Sequence, residues 1–261
     1  MKKSISIFSL LLVALTLSTT LSHSTGYKLP FQFKGGGQNK EAVIVAGEHP
    51  EFGFLLPEMA GNLKFGIIVG SESKWFSAAK SKVTKQNQNS ITYNISDPIL
   101  GKGNIVVKAI SMNNTNGVII EMEGNNLPEN TKLLWAYGGA YGKALEKKEE
   151  ALLNPEFCPN NVFSVENTAF TLYFGQSMAL RTINVVTPFS SKIRLSDAFS
   201  QNSPLEFFES GKKTTSPALA ATLPLKNGQK EYFCVFKQNK SADYNYYMLP
   251  EVFIEQANSI K

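Results

Sequence analysis

Short apolar or alternating segments run along most of the chain, and turn-forming residues separate each from the next. The segments are rich in β-branched and aromatic residues, and the breaks contain Asp-Pro, Asn-Gly and paired asparagines. They cover residues 42–47, 52–56, 63–70, 90–95, 104–111, 117–124, 132–138, 169–175, 180–186 and 231–237. Without long helical stretches between them, such segments favour antiparallel over parallel α/β sheets. We predict an all-β fold, a large supersandwich-like antiparallel β-sandwich with one or two short helices.

The clearest hairpin lies at NNTNG, where Asn116 and Gly117 predict the positive φ angles of a tight turn. The strand before it, 104–111, carries apolar side chains on both of its faces. A strand of this kind is normally covered on both sides. The pattern favours a thick two-sheet sandwich or a sandwich that docks a further domain.

Two helices are predicted. One lies within 138–153, where the charged run 146–150 forms a solvated face. The other ends the chain, because Pro250 suits the first helical position and Glu251 complements the helix dipole. Its expected buried side consists of Val252, Phe253, Ile254, Ala257 and Ile260. No capping signal precedes the last residue, so we expect this helix to lead towards a further domain.

The amino terminus has the layout of a secretory signal peptide over residues 1–24, with two lysines before an apolar run that is too short for a membrane span. We therefore expect export to the periplasm or beyond and no membrane span after cleavage. The expected organisation is an irregular lead-in at 25–40, a β-sandwich domain at 41–245 and an exit helix at 246–261.

The charge distribution argues against nucleic-acid binding. Removal of the signal peptide lowers the formal charge from +5 to +3, because it removes Lys2 and Lys3 and no acid. Arg181 and Arg194 are the only arginines, and no sustained basic run occurs. Nucleic-acid binding normally requires a clustered basic patch.

No metal or cofactor pattern is present in the sequence. After the signal peptide the chain has one histidine, His49, three aspartates and two distant cysteines. We expect neither a metal nor a cofactor, and His49 in GEHPEFG is interpreted as a turn residue. Cys158 and Cys234 could form a disulfide after export, but a buried free thiol at Cys234 fits its apolar neighbours equally well.

Catalytic motifs are also missing. The stretch Gly138–Lys143 fits neither the dinucleotide fingerprint nor the P-loop in any register. The segment around Ser177 resembles a nucleophile elbow only faintly, and no histidine follows it. Glu48, Glu51 and Glu58 cluster near glycines and a proline and could line a groove, but ordinary loop acids are the simpler interpretation.

Aromatic residues are the remaining candidates for ligand contact. Leu133, Trp135 and Tyr137 share one face of a strand, which favours a core position for Trp135. Tyr137 and Tyr141 flank two glycines, where rings more often reach a surface. The candidate carbohydrate-binding residues are Trp135, Tyr137, Tyr141, Trp75 and Glu58, and no catalytic residue is assigned.

Three segments together resemble a family of secreted bacterial proteins, number 4450 among the domains of unknown function. They are GEHPEFGFLLPEMAGNLKFGI (47–67), KLLWAYGGAYGK (132–143) and YYMLPEVFIEQANSIK (246–261). The resemblance implies an N-terminal β-sandwich that continues through a helix into an (α/α)6 barrel of the six-hairpin-glycosidase type. In such proteins the catalytic carboxylates lie mainly in the barrel, so no catalytic position can be transferred to this chain.

Three hypotheses follow. The first is a non-catalytic accessory sandwich of an exported glycan-processing protein, in contact with a downstream helical barrel. The second is an independent carbohydrate-binding module with aromatic stacking residues. The third is a sugar-active sandwich enzyme of the mutarotase or lyase kind, which a single histidine supports weakly.

Overall fold

A computed structural model of the chain describes residues 31–34, 42–57, 59–139, 152–175, 180–189 and 191–260. Within these ranges the chain forms two antiparallel sheets of eight strands each. Their inner faces meet in one large apolar core. Phe65 of one sheet and Phe233 of the other, for example, lie 5.1 Å apart between ring centroids. The predicted all-β sandwich is confirmed.

The first sheet has the spatial order β1 (Phe31–Lys34), β2 (Val43–Ala46), β3 (Glu51–Leu56), β4 (Met59–Val69), β10 (Lys132–Gly138), β15 (Pro217–Pro224) and β14 (Arg194–Asp197). Strand β5 (Glu72–Trp75) pairs with the second half of β4. The second sheet has the order β11 (Val162–Glu166), β12 (Ala169–Phe174), β13 (Arg181–Val186), β16 (Lys230–Phe236), β9 (Gly117–Asn125), β8 (Asn104–Ser111), β7 (Ser90–Ile95) and β6 (Ser81–Gln86).

Short helices cover the outer faces of both sheets. Helix α1 (Pro204–Glu209) lies against β4, β5, β14 and β15 of the first sheet, and helix α2 (Leu249–Ser259) lies against β8, β9 and β16 of the second. Single 3-10 turns occur at Phe76–Ala78, Pro98–Leu100, Pro155–Asn160 and Tyr246–Met248. The expected cover over the outer face of β8 is confirmed at Ile110, which packs in the apolar cluster beneath α2. Val106 and Lys108 on the same face are half-buried.

The hairpin between β8 and β9 is present, with Ser111 opposite Val118. The predicted positive φ at Asn116 and Gly117 is wrong, because neither residue has a left-handed backbone. Gly117 is instead required by a close approach. A Cβ there would lie 2.8 Å from the Met112 sulfur and 2.9 Å from the Phe236 Cβ.

Helix α2 confirms the predicted C-terminal helix but presents a different face to the sheet. Its buried residues are Leu249, Val252, Phe253 and Gln256, spaced three and four apart on one helical face. Ile254 is 58% exposed and Ala257 is also exposed, so their predicted burial is wrong. Gln256 is buried although polar, because its Oε1 accepts a hydrogen bond from the Asn113 backbone N–H at 2.9 Å.

Two expectations concern segments before and after the core strands. Residues 25–40 were expected to be irregular, but Phe31–Lys34 forms β1 and pairs with β2, Phe31 lying opposite Ala46. Most of the helix predicted within 138–153 falls on residues 140–151, which lie outside the described part of the chain.

Both cysteines are buried free thiols. Cys158 belongs to the apolar cluster on the outer face of the first sheet, and Cys234 belongs to the cluster beneath α2 on the second. The two thiols therefore lie on opposite outer faces of the sandwich.

Candidate functional site

Trp135 and Tyr137 lie fully buried between the two sheets. The Trp135 ring stacks on Phe170 at 5.7 Å and 15°, and its Nε1 donates a hydrogen bond to Ser191 Oγ at 3.1 Å. Tyr137 contacts the same phenylalanine edge-on at 5.0 Å. Neither ring has an open face for a sugar. Trp135 is a core residue, as its strand pattern indicates, whereas the expected surface position of Tyr137 is wrong.

Tyr137 fills the space above Gly61 of β4, where an added Cβ would overlap the tyrosine hydroxyl. This hydroxyl has no hydrogen-bond partner among the described residues. Burial raises the pKa of Tyr137. Gly138 and Gly139, at the end of β10, do not bring the ring to the surface. Side chains alternate between the two faces of β10, and Tyr137 lies on the inward face with Leu133 and Trp135.

Trp75, the last residue of β5, is 5% exposed and lies in the apolar cluster on the outer face of the first sheet. Its ring packs edge-on against Phe207 at 5.6 Å, Lys64 Nζ lies 4.6 Å from its ring centroid, and its Nε1 donates to the Gln201 carbonyl at 2.8 Å. Glu58 and Tyr141 lie outside the described residues. The structure does not assemble the three described candidates into an exposed platform.

The predicted turn residue His49 lies in a bend, and its Nδ1 is 2.6 Å from Ser81 Oγ. This Ser-His contact joins residues 32 positions apart, so sequence spacing could not reveal it. Ser81 Oγ also donates to the Glu48 carbonyl at 3.1 Å. The Glu48 carbonyl therefore competes with His49 for the single Ser81 hydroxyl proton, and the direction of the Ser81–His49 hydrogen bond depends on the histidine tautomer. Burial lowers the pKa of His49, although the charges of Glu48 and Glu51 oppose this effect.

The site that the structure does present is a groove on the outer face of the second sheet, with a volume of about 630 Å³. We call it the tyrosine groove. Strands β11, β12 and β13 form its floor, and the segment 243–247 before α2 forms one wall. Its outward-facing floor residues include Ser164, Thr171, Tyr173 and Asn184.

Three aromatic rings lie together at the wall of the tyrosine groove. Phe189 is 4.4 Å from Tyr247 at 44° and 5.1 Å from Tyr246 in an edge-on arrangement. Tyr247 is 77% exposed and Phe189 is 41% exposed. Unlike the three described aromatics predicted from the sequence, these two rings offer surface to a ligand.

Polar side chains hold the floor and the wall in place. Asn184 Nδ2 donates to Thr171 Oγ1 at 3.1 Å, which ties β13 to β12. Gln238 Nε2 donates to Asp243 Oδ1 at 2.8 Å. Asn245 Oδ1 accepts the Tyr247 backbone N–H at 3.1 Å and caps the 3-10 turn before α2. These hydrogen bonds hold the wall against the floor and the helix.

Tyr246 anchors the wall to the sheet. Its hydroxyl donates to Glu231 Oε2 at 2.6 Å, and the other Glu231 oxygen accepts from Gln229 Nε2 at 2.8 Å. Glu231 is buried, and burial raises its pKa although the tyrosine hydrogen bond opposes this. Burial, reinforced by Glu231, also raises the pKa of Tyr246.

Sequence reasoning missed the tyrosine groove because its parts come from distant segments. The tyrosine-rich run 244–247 is the only local signal, and it contributed to the family resemblance rather than to the list of site residues. Phe189 and Asn184 carry no motif that would connect them to it.

The described residues contain neither a metal-binding group nor a membrane-spanning helix. They contain no group of three or more His, Cys, Asp or Glu side chains that could hold a metal ion. None of their helices has the length and apolar character needed to cross a membrane.

Comparison with known proteins gives one family and one fold. A family model described as "Domain of unknown function (DUF4450)" matches residues 56–258. A bacterial glucoamylase solved in complex with acarbose is similar in structure, with a TM-score of 0.55 and 14% sequence identity. The match covers 84% of this chain and 35% of the glucoamylase chain. No curated protein matches the sequence.

Proposed function

The chain belongs to the DUF4450 family, and we propose that it is the non-catalytic β-sandwich module of an exported bacterial protein that processes glycans. Its fold is related to that of a glycoside hydrolase, as the similarity to the glucoamylase shows. The single observation that carries the proposal is the extent of this match. Most of this chain corresponds to only 35% of the enzyme.

The environment of the buried carboxylates supports a non-catalytic role. Glycoside hydrolysis normally uses two carboxyl groups that face a substrate from opposite sides. Glu121 is instead bonded to Lys108 and Lys230, at 3.1 and 2.9 Å, and Asp97 is bonded to Lys74 at 2.9 Å. Together with the Glu231 contacts described above, these bonds support a structural role for three buried acids, Asp97, Glu121 and Glu231.

The outward side of the exit helix supports contact with a partner domain. Ile254 on α2 is 58% exposed, and Met248 just before the helix is 40% exposed. Covering these apolar side chains with another surface would be favourable, by about 25 cal/mol for each Å² removed from water. We propose that a downstream helical barrel covers them.

Assay of the purified chain, residues 25–261, tests the non-catalytic claim. Release of reducing sugar is measured with starch, xylan and mixed-linkage β-glucan, and no turnover above a buffer control is expected. Steady turnover of any of them would overturn the claim. Reading the gene beyond codon 261 provides an independent check, since paired amphipathic helices are expected there.

Export is tested separately from catalysis. The protein is recovered from the periplasm or medium of the source cells and its amino terminus is sequenced. The mature chain is expected to begin at Thr25. Recovery only from the cytoplasm with residues 1–24 retained would contradict this part of the proposal.

A further inference from the structure

We propose that the tyrosine groove binds a neutral polysaccharide, with the exposed Tyr247 ring packed against the apolar face of one pyranose unit. The proposal rests on the proposed glycan-processing function for its ligand class, and on the geometry of the groove for its location. It assigns binding to residues that are distinct from Trp75, Trp135 and Tyr137.

The ring arrangement is suited to stacking. Phe189 lies 4.4 Å from Tyr247 and supports one side of it, while the 77% exposure of Tyr247 leaves the rest of the ring open. The negative face of an aromatic ring attracts the polarised C–H groups of a sugar, and its apolar body covers them. Because tyrosine has few rotatable bonds and this one is already supported, ordering it on binding costs little entropy.

The polar groups of the groove match sugar hydroxyls. An amide has two donors and an acceptor with two lone pairs, and a carboxylate accepts several hydrogen bonds. Asn184 donates to Thr171 and its Oδ1 accepts the Gln238 backbone N–H at 3.4 Å, and Gln238 Nε2 donates to Asp243. These contacts use only part of the capacity of the three side chains. Their remaining donors and acceptors can pair with hydroxyl groups that alternate around a sugar ring.

The charge of the groove selects for a neutral ligand. Its charged lining residues within the described part of the chain are both acidic, Glu166 and Asp243. Neither a lysine nor an arginine is found in that lining, so a uronate or a sulfated glycan would be repelled. The volume of about 630 Å³ falls within the range of roughly 300 to 1,000 Å³ that is usual for small-ligand sites.

Affinity electrophoresis tests the proposal with the chain of residues 25–261, in gels that contain starch, xylan or mixed-linkage β-glucan. Retardation by at least one polysaccharide is expected for the parent. Tyr247→Ala should weaken retardation about tenfold, because the stacking face is lost. Phe199→Ala is the matched control, since Phe199 is 62% exposed and lies outside the groove. It should migrate like the parent.

A second variant keeps the test independent of the ring cluster. Asn184→Ala removes a polar partner from the floor and should also weaken retardation, by about fivefold. Thermal melting confirms that each variant is folded, and Tyr247→Ala is expected to melt within about 2 °C of the parent because the side chain is exposed.

The possible outcomes separate this proposal from the proposed function. Absence of retardation by all three polysaccharides, or equal retardation of the parent and Tyr247→Ala, would overturn the groove proposal and leave the non-catalytic role intact. Retardation accompanied by turnover would overturn only the non-catalytic role. Protection of the Tyr247 ring by a partner domain, without polysaccharide binding, would make the groove a protein contact and overturn the proposal.

Discussion

The outer face of the second sheet has two halves that share a backbone but differ in what covers them. On β8, β9 and β16 the outward side chains beneath helix α2 are apolar, among them Ile110, Ile119 and Cys234. Farther along the same faces, Glu121 pairs with Lys108 and Lys230. On β11, β12 and β13 they are largely polar, among them Ser164, Thr171 and Asn184, and they line the tyrosine groove. Tyr246 lies at the border and contributes to both.

This difference shows how side-chain choice divides one sheet into a structural part and an accessible part. Burial of apolar surface favours docking of the helix, by about 25 cal/mol for each Å² removed from water. Polar side chains gain no such advantage from a cover, because they would exchange water for incomplete hydrogen bonding. The helix therefore covers one half and leaves the other open to ligands.

The largest effect is expected from the covered half. Phe253→Ala should lower the free energy of unfolding by about 3 to 4 kcal/mol, since it leaves a cavity under α2 where the ring contacts Tyr232 at 5.7 Å. Urea denaturation of the purified chain measures this. Ile254→Ala, on the exposed side of the same helix, is the control and should cost under about 0.5 kcal/mol. Equal losses in the two variants would mean that α2 does not dock as described.

The next effect concerns the one buried polar residue of α2. Gln256→Ala should lower the free energy of unfolding by about 1 to 2 kcal/mol, because the buried Gln256 side chain loses its packing beneath the helix and its hydrogen bond from the Asn113 N–H. The same denaturation experiment applies. A cost below about 0.5 kcal/mol would show that water replaces the side chain and that the contact adds no stability.

A pH effect is expected beside the covered half, at Glu121. Burial alone would raise its pKa, but hydrogen bonds from Lys230 and Lys108 and their charges outweigh this, so its pKa lies below the usual value. A carboxyl group with a lowered folded pKa stabilises the fold above its unfolded pKa, about 4.5. Stability should therefore fall as the pH drops below that value.

Thermal melting between pH 7 and pH 3 checks this, with Glu121→Gln as the comparison. The variant should be less stable at neutral pH and should lose less stability on acidification. Glu231, whose pKa is raised, acts in the opposite direction in both proteins and cancels in the comparison. Parallel curves for parent and variant would contradict the assignment.

The smallest effect on stability is expected in the open half. Asn184→Ala removes a half-buried hydrogen bond to Thr171 and should cost about 0.5 to 1.5 kcal/mol. The same variant is expected to weaken polysaccharide binding. Its main effect is therefore expected on binding, with only a small loss of stability. A loss as large as that of Phe253→Ala would show that the open half is part of the core.

Much of the fold could be predicted from the sequence because strand periodicity records which side of a strand is buried. Alternation placed Trp135 in the core and indicated a cover over β8. The helical pattern failed for α2 at Ile254 and Gln256, because hydrophobicity alone cannot show that a hydrogen bond to the Asn113 N–H holds a glutamine on the buried side. The strand β1 was missed because the glycine run beside it has no backbone preference.

The candidate site could not be predicted in the same way. The groove brings together Asn184 and Phe189, at the end of β13 and just after it, and Tyr247, just before α2. The proximity of these two segments depends on strand order rather than on spacing. Tyr137 misled the prediction because adjacent glycines often mark a surface turn, whereas here its ring fills the space that Gly61 leaves. Residues that converge only through topology carry no local signature.

The two thiols provide a way to time the opening of each face of the sandwich. The thiolate is the form that attacks electrophilic thiol reagents, and burial raises the pKa of Cys158 to about 12 and raises that of Cys234 as well. Modification therefore has to wait for a transient exposure of the cysteine concerned. Mass spectrometry of the two cysteine peptides over time would give separate opening rates for the two sides, without any engineered label.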